Sequence, residues 1–289
     1  MSAGSGRRSA TVATGMLLAA AGCHASAYPG GQSKADDPPR SVSLHDVTTE
    51  ILVALGAADR LVGARRPIQV PPEVGAAVAQ IPRVGDTESI VASRPTLVLG
   101  TSVVAREAPD LVNYLRDVGI EVVLLDPRGL DDVYNGVIEV ARRAKVPDAG
   151  AMLVARLRGR SGAGASAAPE PVRIFVYDCC DPPFTAARRT VLSDLIDRAG
   201  GRNIFSDLDA GWTRVSWEDV IARKPQLVVI HAYREEEESA VDKKRARLRV
   251  MPALAGVPVM VMPLGFSLGG IRSVDGLEHL RRAIVGLRG

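Results

Sequence analysis

The feature that most constrains this chain is an alternation that runs twice. From Arg40, short apolar runs alternate with amphipathic segments: "RSVSL", "TTEILVALG", "RLVGA", "TESIVASRP", "TLVLG", "APDLVNYLRDVG" and "EVVLLD". In the second of these, Thr48 can cap a helix, Ile51, Leu52 and Leu55 share one face, and Gly56 ends it. Pro95 and Gly119 stop two further helices. Leu130, Val133, Val137 and Val140 then keep helical spacing, as do Ala151, Val154, Ala155 and Arg158 after the break at Pro147. The stretch "SGAGASAAPEP" (161–171) reads as a weakly structured joint. Beyond it the alternation restarts with "VRIFVYD", "VLSDLIDRAGG", "WEDVIARKP", "LVVIHAY", "VPVMVMP" and "VDGLEHLRRAIVGL". Short apolar strands alternating with helices predict an α/β chain of two Rossmann-like lobes with largely parallel sheets. The expected divisions are a lobe over 40–145, a connecting helix and joint over 146–171, and a lobe over 172–289.

The first 39 residues read differently. Arg7 and Arg8 form a basic start, "ATVATGMLLAAAG" is a short apolar run, and Cys23 follows. "LLAAAGC" resembles a bacterial lipoprotein box, in which the cysteine becomes lipidated; Ala20 departs from it, since the box prefers Leu there. The expectation is a signal peptide over 1–22, a lipid on Cys23 and a flexible tether over 23–39, with unlipidated secretion as the alternative. The formal charge is +3, and removing Arg7 and Arg8 leaves about +1. That gives no polybasic footprint, so a nucleic-acid partner is not expected.

Taken in order, the motifs resemble one family: the periplasmic (class III) binding proteins for cobalamin, ferric siderophores and haem that feed ABC importers. "SVSLHDVTTEILVALGAADRLVG" is similar to that family's opening strand, loop and helix. "IPRVGDTESIVASRPTLVLG" is similar to its second unit, and "PPFTA", "AGGRNIF", "VSWEDVIARKPQLVVI" and "VPVMVMP" to its C-terminal lobe. The resemblance covers about residues 40–286. "PPFT" followed by "AGGRNIF" is most similar to the cobalamin-binding branch, although a carrier of deazaflavin-coenzyme precursors has a similar pattern.

The resemblance implies two lobes joined by one long helix, best placed at 148–160, with the ligand in the cleft between them. It also implies a monomer without a cofactor of its own, carrying a small-molecule cargo to an ABC permease dimer with its ATPase subunits. Glu88 in "DTESIV" and Glu218 in "VSWEDV" match the pair that docks on the permease. Each also suits the first turn of a helix on local grounds alone.

Candidate cargo contacts are the residues that follow strands. In the first lobe these are His45, Asp46, Arg65, Arg66, Thr101 and Ser102. His45 can ligate a metal centre or merely cap a helix; Arg65 and Arg66 suit carboxylate or phosphate groups. In the second lobe they are Tyr177, Asp178, Cys179, Cys180, Asp181, Phe184, Trp212, His231, Tyr233, Arg234, Phe266 and Arg272. A flat corrin or porphyrin favours aromatic walls, and aromatics are scarce here, at 4 % of residues. An exported compartment tolerates disulfides, so Cys179 and Cys180 can pair with each other. Free thiols and thiolate contact with a soft metal centre stay open as well.

An enzyme is not expected. The chain has no P-loop and no H-E-x-x-H. A Cys-His nucleophile formed by Cys179 or Cys180 with His231 or His45 is geometrically conceivable across a cleft. A surface sensor would use the same cleft with a different partner.

Overall fold

The computed structural model describes residues 1, 37–67, 69–162, 170–233 and 238–288. The expected signal peptide beyond Met1, Cys23, most of the tether, residues 163–169 of the joint and Arg234 lie outside the described residues. The first unit contains β1 (Ser41–Ser43), α1 (Asp46–Ala54), β2 (Leu61–Ala64), α2 (Pro72–Ala77), α3 (Thr87–Ala92), β3 (Leu97–Thr101), α4 (Ser102–Glu107), α5 (Pro109–Asp117) and β4 (Glu121–Leu125). Two helices follow, α6 (Leu130–Arg143) and α7 (Pro147–Gly162). The second unit contains β5 (Val172–Tyr177), β6 (Phe184–Ala186), α8 (Val191–Arg198), β7 (Gly201–Asn203), β8 (Trp212–Arg214), α9 (Trp217–Ala222), β9 (Leu227–Ala232), α10 (Glu238–Arg249), β10 (Val259–Pro263) and α11 (Ser273–Gly286).

Each unit builds a four-stranded parallel sheet, ordered β2-β1-β3-β4 in the first and β7-β5-β9-β10 in the second. In chain order within each lobe the arrangement is the same. Winding therefore reverses between β1 and β3, and again between β5 and β9. Chain segments leaving such neighbouring strands diverge, which opens a crevice at their carboxyl ends. The central strands are buried on both faces: every residue of β3 is buried, and so are five of the six in β5, whereas β4 at the sheet edge has none. That explains their continuous apolar runs.

The core has three parts. One cluster lies on the outer side of the first sheet, around Val42, Val98 and Leu115. Another lies on the outer side of the second, around Phe175, Phe205 and Ile230. The largest is shared by both lobes and joins Ile51 and Leu52 of α1, Val137 of α6 and Leu153 of α7 to Leu195 of α8 and Leu277 of α11. Because the lobes bury apolar surface against a common helical layer, moving them apart would expose it to water.

Both α6 and α7 run between the lobes. The Leu130 amide at the start of α6 donates to Asp194 of α8 at 2.7 Å, and Arg198 of α8 reaches Asp131 at 2.7 Å. At the far end, Arg60 of the first lobe donates to the Ala144 carbonyl. The chain turns there and α7 returns. Its Arg160 ends between Asp275 and Glu278 of α11, at 2.6 and 2.9 Å. The segment that follows β10 crosses to the first lobe at Gly269, where φ is +79° and a Cβ would strike Pro127. Only glycine meets both demands without displacement.

Candidate functional site

The residues after the strands converge between the lobes. Two cavities lie there, on either side of the segment Leu264–Arg272. The smaller, of about 590 Å³, collects His45, Thr101, Ser102, Phe184 and Trp212, together with Arg106, Asp126, Arg128, Arg189 and Ser267. The larger, of about 1100 Å³, collects Arg66, Phe266 and Arg272, with Glu50, Gln69 and the proline-rich turn at Pro71 and Pro72.

His45 owes its place to the start of α1. The sequence suggests Thr48 as the cap, but the helix begins three residues earlier and His45 is the N-cap. Thr48 is diverted: its hydroxyl donates to the His45 carbonyl at 3.0 Å and lies 2.8 Å from Ser43 Oγ. Nδ1 of His45 accepts the Val47 amide proton at 3.2 Å. The ring proton therefore sits on Nε2 while the imidazole is neutral. Burial pushes this histidine below its ordinary value, against the opposing charge of Asp46. Asp46 itself accepts the Gln69 amide at 2.7 Å and anchors the loop beyond Arg65 and Arg66.

In the second lobe the aromatic wall is made by an antiparallel pair, β6 and β8. Their register sets Phe184 against Arg214 and Ala186 against Trp212. The rings of Phe184 and Trp212 stack diagonally, 6.1 Å apart and 27° from parallel. Trp212 also packs on His231, with centroids 5.5 Å apart.

Behind this wall lies a buried polar chain. His231 Nδ1 is 2.7 Å from Asp178 Oδ1, the Tyr233 hydroxyl donates to Asp178 Oδ2 at 2.6 Å, and Ser267 Oγ is 3.1 Å from His231 Nε2. Burial alone would raise the Asp178 carboxyl. The hydrogen bond and charge of His231, with the bond from Tyr233, hold it below its ordinary value. An ionised carboxylate only accepts, so Nδ1 of His231 carries a proton. These groups brace Trp212 from behind.

Tyr177 packs edge-on against Trp217 at 5.1 Å and donates to the Cys180 carbonyl at 3.2 Å. Cys179 and Cys180 are joined by a vicinal disulfide, so neither offers a thiolate for a Cys-His pair. They sit on the loop after β5, half-buried and exposed respectively, and line neither cavity. Asp181 is held by the Trp217 indole N–H at 2.9 Å and by Arg247. Among the described residues no group of three or more His, Cys, Asp or Glu side chains could hold a metal ion.

Arg272 faces the other cavity. Its Nε lies 2.7 Å from Glu50 Oε1 across the lobe boundary, and its guanidinium also donates to the Gln69 carbonyl. Burial pushes the Glu50 carboxyl up to about 7, against the attraction of Arg272. Glu88 and Glu218 are exposed at the second positions of α3 and α9, helices with matching side-chain caps at Asp86 and Ser216.

Glu50, Ser267 and the three arginines of the smaller cavity were not singled out from sequence. Asp126 and Arg128 follow an apolar strand in "LLDPRG", and Ser267 is the central serine of "GFSLG" (265–269), a G-x-S-x-G pattern; these were the available signals, and Arg106 and Arg189 had none.

The family model for periplasmic binding proteins matches residues 42–258. The chain is 29% identical over 201 residues to the vitamin B12-binding protein of Pectobacterium carotovorum subsp. carotovorum (strain PC1), covering 67% of this chain and 71% of that one. Its fold is similar to that of a periplasmic binding protein from Veillonella parvula DSM 2008, with a TM-score of 0.80, 21% identity and coverage of 88% and 93%. It is also similar to the periplasmic haem-binding protein RhuT of Roseiflexus sp. RS-1 in apo form, with a TM-score of 0.74, 25% identity and coverage of 88% and 100%. With this match over most of its length and the paired parallel sheets around a cleft, the chain belongs to the periplasmic binding protein family.

Proposed function

We propose that this protein is the solute-binding component of an ABC importer. It captures a corrinoid such as cobalamin, or a ferric chelate such as haem or a siderophore, and delivers it to a permease dimer driven by ATPase subunits. The observation that carries the reading is the stacked Phe184–Trp212 pair, which faces His45 and Thr101 across a cavity lined by both lobes. An aromatic wall opposite hydrogen-bonding groups suits a flat macrocycle with polar edges. The vitamin B12-binding and haem-binding relatives support the same cargo class.

The lobes on this reading are 40–145 and 172–289, with 146–171 between them. Glu88 and Glu218 dock on the permease, one from each lobe, and the protein acts as a monomer that returns its cargo unchanged. Residues 1–22 direct export, a lipid on Cys23 holds the protein at the outer face of the membrane, and 23–39 form the tether. No described helix is long and apolar enough to cross a membrane. The test is a thermal-shift titration with cyanocobalamin, haemin and ferric siderophores. A true cargo at about a hundredfold its dissociation constant should stabilise the fold by roughly 2.7 kcal/mol. No shift with any of them would overturn the cargo assignment.

A further inference from the structure

The smaller cavity is dominated by hydrogen-bond donors. Arg106, Arg128 and Arg189 line it, while Asp126 is the one carboxylate in its wall and no lysine or glutamate takes part. Asp126 is shared. It accepts the Ser102 hydroxyl at 2.6 Å and pairs with Arg128 at 3.1 Å. Arg106 donates to the same Ser102 hydroxyl at 3.0 Å, so its link to Asp126 is indirect. Arg189 lies 3.6 Å from Asp209, which is already engaged by Arg188 at 2.8 Å. Three guanidinium groups thus face one carboxylate within the cavity.

Two neutral groups point the same way. Thr101 is 5 % exposed, and its buried hydroxyl has no hydrogen-bond partner. His45 spends its ring acceptor on the Val47 amide, which leaves an N–H as its remaining polar group. A wall this rich in donors is complementary to a ligand group that only accepts. Guanidinium groups, with their forked donors, match the oxygens of phosphates and carboxylates.

We infer that this compartment is an oxyanion subsite: Arg106, Arg128 and Arg189 hold a phosphoryl or carboxylate arm of the cargo while its flat body lies against Phe184 and Trp212. The inference rests on the cargo reading above and narrows it to macrocycles that bear an anionic arm. Cobalamin carries a phosphodiester in its nucleotide loop, and haem carries two propionates. The arginines are exposed, so binding weakens as salt screens them.

The experiment compares each parent with a counterpart that lacks the anion. Cyanocobalamin is set against dicyanocobinamide, and haemin against haemin dimethyl ester, by calorimetric titration of the full chain at low and high salt. The first pair reports on phosphate and the second on carboxylate. In at least one pair the stripped ligand should bind about tenfold or more weakly at low salt, a gap of about 1.4 kcal/mol or more. The gap should shrink to less than about threefold at high salt and in the variant Arg106→Gln/Arg128→Gln/Arg189→Gln. The wild-type comparison stands even where that variant folds poorly. Equal binding of parent and stripped ligand overturns the subsite alone, as does a gap that persists in the folded triple variant. If neither parent binds, the narrowing to anionic macrocycles fails and the subsite falls with it, while the broader cargo reading is judged by the siderophore arm of the thermal-shift titration.

Discussion

Arg272, just before the last helix, lies 2.7 Å from the carboxylate of Glu50 on the first helix, and so ties the two lobes together at the edge of their cleft. The pair is nearly buried, with side-chain exposures of 16% and 5%. Burial costs the Glu50 charge more than Arg272 returns, which is why this carboxyl moves up to about 7 from 4.5.

The pH dependence of stability follows from that shift. An acid whose pKa rises on folding binds its proton more tightly in the folded state. Its contribution is fully present below 4.5 and is lost as pH rises through about 7. Glu50→Gln removes the titration. Wild type should therefore lose stability relative to this variant between pH 4.5 and 8, by roughly 3 kcal/mol across the window. Urea melts of both proteins at several pH values check the sign. A stability difference independent of pH would show that Glu50 is not shifted.

Asp178→Asn should destabilise the fold by about 2–3 kcal/mol, since buried His231 and half-buried Tyr233 lose a charged acceptor. His231 and Tyr233 both lean on Asp178, and a carboxamide offers one oxygen where they use two. Chemical denaturation gives the magnitude. Cargo affinity should fall as well, because the same chain braces Trp212.

Trp212→Ala should weaken cargo binding about ten- to a hundredfold, from lost stacking and lost apolar burial together. Trp212 is half-buried on a three-residue strand at the cleft, so the fold should persist. Calorimetric titration, with circular dichroism as the control, measures both.

Replacing Cys179 and Cys180 together by Ser should change cargo affinity by less than about threefold, under 1 kcal/mol. Neither residue lines a cavity, and the loop keeps its ties through Asp181 and through the Tyr177 hydroxyl. A tenfold loss would mean that the sulfur atoms touch the cargo.

Reversing both exposed acids, Glu88→Arg with Glu218→Arg, should abolish uptake in cells while cargo affinity stays at the wild-type level. Neither side chain takes part in an ion pair among the described residues, so the fold draws only the small benefit of a carboxylate in the first turn of a helix, about 0.3–1 kcal/mol each. Unimpaired uptake would remove them from the docking role.

How much of this was legible in the sequence depends on the range of the interaction. The alternation of buried strands and helices is local, because a strand covered on both faces must be apolar throughout. The two sheets could be read from it, and so could the positions that follow their strands. Short elements were not legible: β6 and β8 have three residues each, and only their pairing makes them strands. The helix after β1 starts at Asp46 because Thr48 bonds to Ser43 and His45, a competition that the residue types alone do not rank.

The sequence by itself determined the two-lobed α/β plan, the family and some of the residues that line the two cavities, among them His45, Phe184 and Trp212. Only the tertiary structure decided which of them act together. His231 meets Ser267, Arg272 meets Glu50, and Arg106, Arg128 and Arg189 line one cavity, all through segments distant in the chain. Such groupings follow from the reversal of strand order in each sheet and from the packing of both lobes on a common layer of helices. Neither leaves a periodic trace in the residues that it brings together.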